Sequence, residues 1–224
     1  MADAAPSEGS SQPLAPPVDG PGEEGEECLK KRKNPKWLPL ESNPKILSGF
    51  FERVGVLGDW SFTDVLGLVP ELLSFVPKPA VAVCVFFPWL EVLGGQEASR
   101  RAPAPTFYLI QHKEFGSACG TIAAVHAIGN LDREGVLQLT PESPMARFLA
   151  RVDGRSPEDF GRELADVSDL HEVSEQAAKS RGAQTRTPGR DDKVDGHVAV
   201  FVQVQGRLVE LDGCVGFPNR PRGG

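Results

Sequence analysis

The stretch HVAVFVQVQGRLVELDG, residues 197–213, decides the fold. Two valine- and leucine-rich runs flank Gln205-Gly206, a pair suited to a two-residue turn, so the segment reads as a β-hairpin and commits the chain to an antiparallel sheet. Parity then places two polar side chains. With Gln205 and Gly206 as the turn, His197 lies opposite position 214 and Asp212 is its diagonal neighbour, about 7–8 Å away between backbones. With Val204 and Gln205 as the turn, His197 faces Asp212 directly at about 4.5–5.5 Å. Either register puts imidazole and carboxylate on one face, near enough for the carboxylate to orient the ring; a three-residue loop would break the geometry.

Working back from the hairpin, residues 180–196 are rich in Gly, Arg and Asp and read as a mobile loop. Helices are predicted over 144–151 and 156–166, the second opened by the capping sequence Ser156-Pro157-Glu158-Asp159. A further helix is predicted from Cys119 to Asn130, with Ile122, Val125 and Ile128 facing the core. Residues 90–106 turn to Gly, Ala, Arg and Pro, a loop composition. The run PAVAVCVFF at 79–87 has the unbroken apolar pattern of a strand covered on both faces. At 44–54, PKILSGFFERV opens with a proline suited to a first helical turn and spaces Ile46, Leu47, Phe50, Phe51 and Val54 along one helical face.

Composition bounds what this body can do. Of 224 residues, 40% are hydrophobic and 25% charged, ordinary globular usage that allows one substantial domain with appendages. The net charge of −7 is concentrated in residues 1–29, which hold seven acids and no base, leaving 24 acids against 24 bases in the rest. A neutral body gives no electrostatic case for nucleic acid. Residues 1–36 read as a disordered acidic tail ending in the basic cluster Lys30-Lys31-Arg32-Lys33, which doubles as a nuclear-import address or simply solvates; residues 37–224 form the domain. With no apolar run near the ~20 residues that cross a bilayer and no signal-peptide pattern, the chain is expected to be cytoplasmic, with a nuclear share if the basic address works, and not to engage a membrane. Cys28, Cys84, Cys119 and Cys214 lack metal or disulfide spacing, so free thiols and no cofactor are expected.

Chemistry gathers on three residues. Cys119 sits at the expected first turn of a helix, where unpaired amide N–H groups and the helix dipole favour a thiolate; the competing reading is a small buried apolar side chain. A cysteine nucleophile, a histidine base and an orienting carboxylate (Cys119, His197 and Asp212) are the parts of thiol acyl transfer. His126, two helical turns beyond Cys119, suits packing better than catalysis; His112 and His171 stand in polar contexts and read as surface residues. Cys84, mid-strand, and Cys214, just past the hairpin, read as structural or incidental.

These residues sit in segments that resemble the short ubiquitin carboxyl-terminal hydrolases, a branch of the papain-like cysteine proteases. The resemblance runs through WLPLESNP at 37–44, PELLSFVPKP at 70–79, SACGTIAAVHAI at 117–128, DDKVDGHVAVFV at 191–202 and VELDGCVGFP at 209–218. It implies an α/β (α+β) fold with a central antiparallel sheet flanked by helices, and Cys119, His197 and Asp212 as nucleophile, base and orienting partner. It further implies a monomer that binds ubiquitin or ubiquitin-like substrates and cleaves small adducts or short extensions after the C-terminal glycine. Residues 168–196 would form a crossover segment over the cleft.

Three departures accompany the resemblance. The family's oxyanion glutamine stands six residues before the cysteine, where this chain has Lys113; Gln111, eight before, takes the role if two residues are inserted locally. Family members continue past the Phe-Pro-Asn motif with a helix and a strand, so this chain reads as C-terminally truncated. The acidic N-terminal extension is the third departure. An alternative function follows from the first two, a catalytically impaired ubiquitin-binding or regulatory protein.

Overall fold

The computed structural model describes residues 36–88, 106–180, 185–192 and 194–218. Along the chain run α1 (Pro44–Val54), β1 (Val56–Leu57), α2 (Pro70–Leu73), β2 (Ala82–Pro88), a 3₁₀ turn (Lys113–Phe115) and α3 (Cys119–Arg133). There follow β3 (Gln138–Leu139), α4 (Pro144–Val152), α5 (Pro157–Asp166), α6 (Ser168–Ala178), β4 (Gly196–Val204) and β5 (Arg207–Leu211). β2, β4 and β5 form an antiparallel sheet with β4 in the middle, and β1 pairs with β3 in a second, two-stranded sheet.

The hairpin takes the first of the two expected registers: Val204 pairs with Arg207 across Gln205 and Gly206. Both turn residues have positive φ, 49° and 74°, the type I′ sense that matches the twist of the flanking strands. Local sequence explains the helix starts. Asn43, Ser143 and Ser156 accept a backbone N–H from the first turns of α1, α4 and α5, and proline follows each cap.

α3 is the axis of the molecule. It is buried around its whole circumference from Gly120 to Leu131 and packs on β4, with Ile122, Val125 and Ile128 in the core as expected. Its small residues allow that enclosure: a side chain at Gly129 would come within 2.5 Å of the Phe107 ring. Buried Asn130 fastens the neighbouring segment, accepting from Phe107 N (2.9 Å) and donating to Phe107 O and His126 O (2.8 Å each).

Three expectations are corrected. Among the described residues β2 is an edge strand with Val83, Val85 and Phe86 exposed, so these residues do not cover it on both faces; an unbroken apolar run does not say which sheet position a strand takes. Residues 168–178 are helical, so the non-helical part of the expected crossover segment starts after α6. His112 is buried against Phe115 and the Glu158 carbonyl, not at the surface as expected, whereas His171 keeps part of its side chain in solvent, edge-on to Trp37. The helices at 44–54, 144–152 and 157–166 lie where the sequence puts them. The acidic tail, the basic cluster and most of the 90–106 loop lie outside the described residues.

Candidate active site

Cys119 opens α3, and His197 lies near the start of β4, the strand packed against that helix. The fold thereby brings a helix N-terminus and a central strand to one place. His197 is buried, its ring edge-on to Phe87 of the neighbouring strand at 5.4 Å. Its Nε2 donates to Asp212 Oδ2 at 2.9 Å, and the ring also hydrogen-bonds the Cys119 thiol. With Nε2 occupied by the carboxylate, Nδ1 is the nitrogen left to address the sulfur.

The electrostatics of His197 are a contest. Burial disfavours the imidazolium, but hydrogen bonds to Asp212 and Cys119, and the charge on each, outweigh it and raise the pKa to about 9. A histidine in this setting keeps its proton well above its ordinary range, as needed for a ring that holds a thiol's proton while the thiolate attacks.

Asp212 is held at both carboxylate oxygens and at its carbonyl. Oδ1 accepts the Cys214 backbone N–H at 2.9 Å, and its carbonyl accepts from Val215 N at 3.0 Å. The Tyr108 hydroxyl lies against the carbonyls of Asp212 and Val215. Tyr108 in turn stacks on His126, ring centroids 4.9 Å apart and nearly parallel. His126, fully buried on α3, is kept neutral by desolvation, its pKa lowered to about 4, and its Nε2 meets the Leu109 backbone. The packing role expected for His126 therefore extends to supporting the loop that carries Asp212. The role of Tyr108 is not legible in the sequence, since a lone tyrosine gives no local signal that its hydroxyl reaches a turn about a hundred residues away.

Gln111 is brought to the same neighbourhood. Its backbone N–H donates to Gly213 O at 2.8 Å, and its Nε2 donates to Gly116 O at 2.9 Å, three residues before Cys119. Lys113 points away, exposed on the 3₁₀ turn. Cys84 lies on β2, its thiol pushed up to about 12 by burial. A depression of about 640 Å³ beside α1, bordered by Ser48, Phe51, Trp60 and Phe62, shares no residue with this arrangement.

A cysteine on a helix start beside a histidine-carboxylate pair on an antiparallel sheet, with helices around it, has the parts that cysteine hydrolases use. Residues 37–221 match the profile of the family described as ubiquitin carboxyl-terminal hydrolase, family 1. The chain is 33% identical over 179 residues to a ubiquitin carboxyl-terminal hydrolase of Aplysia californica, covering 80% of this chain and 82% of that one. It is 37% identical over 191 residues to isozyme L1 of Homo sapiens, covering 80% of each. Among solved structures, the Trichinella spiralis UCH37 catalytic domain bound to ubiquitin vinyl methyl ester superposes with a TM-score of 0.60 at 18% identity, over 82% of this chain and 77% of that one. The chain belongs to the ubiquitin carboxyl-terminal hydrolase family, whose members are cysteine-type ubiquitin hydrolases.

Proposed function

We propose that the chain hydrolyses the bond after the C-terminal glycine of ubiquitin, releasing small adducts or short extensions, with Cys119 as nucleophile, His197 as base and Asp212 as its orienting partner. The observation that carries this reading is the His197 ring engaged by Asp212 at 2.9 Å and also by the Cys119 thiol. The Cys119 proton passes to His197 and the thiolate adds to the glycine carbonyl. His197 then returns the proton to the leaving group as the C–N or C–O bond breaks, leaving a thioester on Cys119. His197 next takes a proton from water, which attacks the thioester and releases the ubiquitin carboxylate and the thiol.

Gln111 is the proposed oxyanion donor. Its bond to Gly116 uses one Nε2 proton and leaves the second for the tetrahedral intermediate. Ubiquitin is the proposed partner because the structural neighbour was solved with a ubiquitin derivative. Turnover of ubiquitin bearing a fluorogenic C-terminal amide tests the reading: the parent chain turns over and Cys119→Ala does not. Equal rates in the two would end it.

Two observations favour the second reading, a catalytically impaired ubiquitin-binding protein: the Gln111 amide is tied to Gly116 O, and the position six residues before Cys119 is an exposed lysine. Micromolar ubiquitin binding with turnover no faster than Cys119→Ala would select it.

A further inference from the structure

Cys214 takes no part in the proposed reaction, yet its sulfur, a ring nitrogen of His197 and a carboxylate oxygen of Asp212 all lie within 4.8 Å of one another. We propose that these three side chains form a zinc site whose occupation disables His197 and so halts the hydrolysis proposed above. The inhibitory consequence rests on that reading of the site; the binding itself does not.

The donor set selects the ion. One thiolate, one imidazole and one carboxylate suit a borderline-soft divalent cation of tetrahedral habit, with bonds of about 2.3 Å to sulfur and 2.0–2.2 Å to nitrogen and oxygen. Calcium, which takes about 6–8 oxygens, and magnesium, which demands an octahedron, find one carboxylate here. Around zinc the donors would stand roughly 3.5 Å apart, so the widest separation, 4.8 Å, closes by about 1.3 Å at most while the 2.9 Å contact between His197 and Asp212 opens by about half an ångström. The closing movement falls to Cys214. His197 and Asp212 are buried and fixed on each other, whereas Cys214 is exposed in the turn after β5 and its side chain can rotate. The turn also aims it: Cys214 N donates to Asp212 Oδ1 and Val215 N to Asp212 O, which folds the chain back over the carboxylate.

Exposure of Cys214 leaves a solvent-facing fourth position for water. On binding, the Cys214 thiol proton leaves to solvent as the metal–sulfur bond forms, and the Nε2 proton that His197 gives to Asp212 leaves to solvent as the metal takes its place between them, so the ring is left neutral with its remaining proton on Nδ1. The ring is then no longer available to take the Cys119 proton.

The test uses the full chain with Zn²⁺ in competition with a chromogenic chelator, and Co²⁺ as a spectroscopic substitute whose thiolate charge-transfer band reports sulfur ligation. Cys214→Ser is expected to weaken Zn²⁺ binding by more than about 100-fold, beyond the 10- to 100-fold typical of losing an outer partner, and to abolish the band. Cys119→Ser should keep both. Cys214→His should restore Zn²⁺ affinity to within about tenfold without the band, which separates loss of a ligand from loss of fold. The Zn²⁺ concentration that halves turnover, referenced for each variant to its own rate in chelator, should rise in Cys214→Ser by the same factor as the binding constant. Unchanged affinity in Cys214→Ser, a band that vanishes in Cys119→Ser instead, or no binding by the parent chain would each overturn the proposal. A chain without turnover that still binds Zn²⁺ through Cys214 would uphold the site and remove only the catalytic reading.

Discussion

Replacing Asp212 by Asn keeps shape and removes charge, which isolates what the carboxylate does. His197 holds its proton to about 9 against an ordinary value of 6.5, a net stabilisation of the imidazolium worth ~3 kcal/mol despite burial working the other way. Hydrogen bonding to Asp212 is the largest of the favourable contributions. The substitution also breaks a bond: Asp212 accepts with both oxygens, from His197 and from Cys214 N, and an asparagine has one acceptor oxygen for the two donors. The alkaline limb of the activity profile is therefore expected to move down by about 2 pH units, from near 9 toward 7, and turnover at neutral pH to fall by about 10- to 100-fold, at tenfold per ~1.4 kcal/mol. The assay is kcat/KM for ubiquitin carrying a fluorogenic C-terminal amide, from about pH 6 to about pH 10, with Cys119→Ala as the blank. An alkaline limb that stays near 9 with turnover within about twofold of the parent would refute the reasoning.

Tyr108→Phe deletes the hydroxyl against the Asp212 and Val215 carbonyls while keeping the ring on His126; stability should fall by about 1–2 kcal/mol in urea unfolding, and turnover several-fold, with the alkaline limb little moved. Asn130→Ala removes three buried hydrogen bonds, two of which fasten residue 107 to α3, and should cost about 3 kcal/mol or more, read as a lower urea midpoint. Stability itself should peak near pH 6.5, because two histidines pull in opposite directions. His126, lowered to about 4 in the fold, contributes fully above 6.5 and costs up to ~3 kcal/mol as pH drops toward 4; His197, raised to about 9, contributes fully below 6.5 and its contribution is lost as pH rises through 9. Unfolding of the parent and His126→Gln across that range checks the acid side, where the parent's slope should exceed the variant's.

The site was more legible in sequence than the body around it, for a physical reason. A two-residue turn leaves two registers, and in either of them His197 and Asp212 share a face, so the sequence alone pairs them; the structure takes the diagonal register, and the 2.9 Å bond spans it. Capped, proline-led helices such as 144–152 and 157–166 announce themselves locally. What sequence concealed depends on partners far along the chain. β2 has the composition of a buried strand but, among the described residues, sits at a sheet edge, and His112 in its polar surroundings is covered by α5. Helix α6 is hidden in the sequence because its start has no side-chain cap to announce it. The Tyr108–His126 support of Asp212 comes from three places in the chain and leaves no pattern in any one of them.

The central claim is that Cys119 is the thiol that attacks the ubiquitin C-terminus, and covalent capture tests it most directly. Ubiquitin carrying a C-terminal electrophile, incubated with the parent chain, Cys119→Ala and His197→Ala, should form one adduct with the parent, mapped by peptide mass to Cys119. None should form with Cys119→Ala, and formation should be much slower with His197→Ala. Equal labelling of the parent and Cys119→Ala, or an adduct that maps to Cys84 or Cys214, would contradict it.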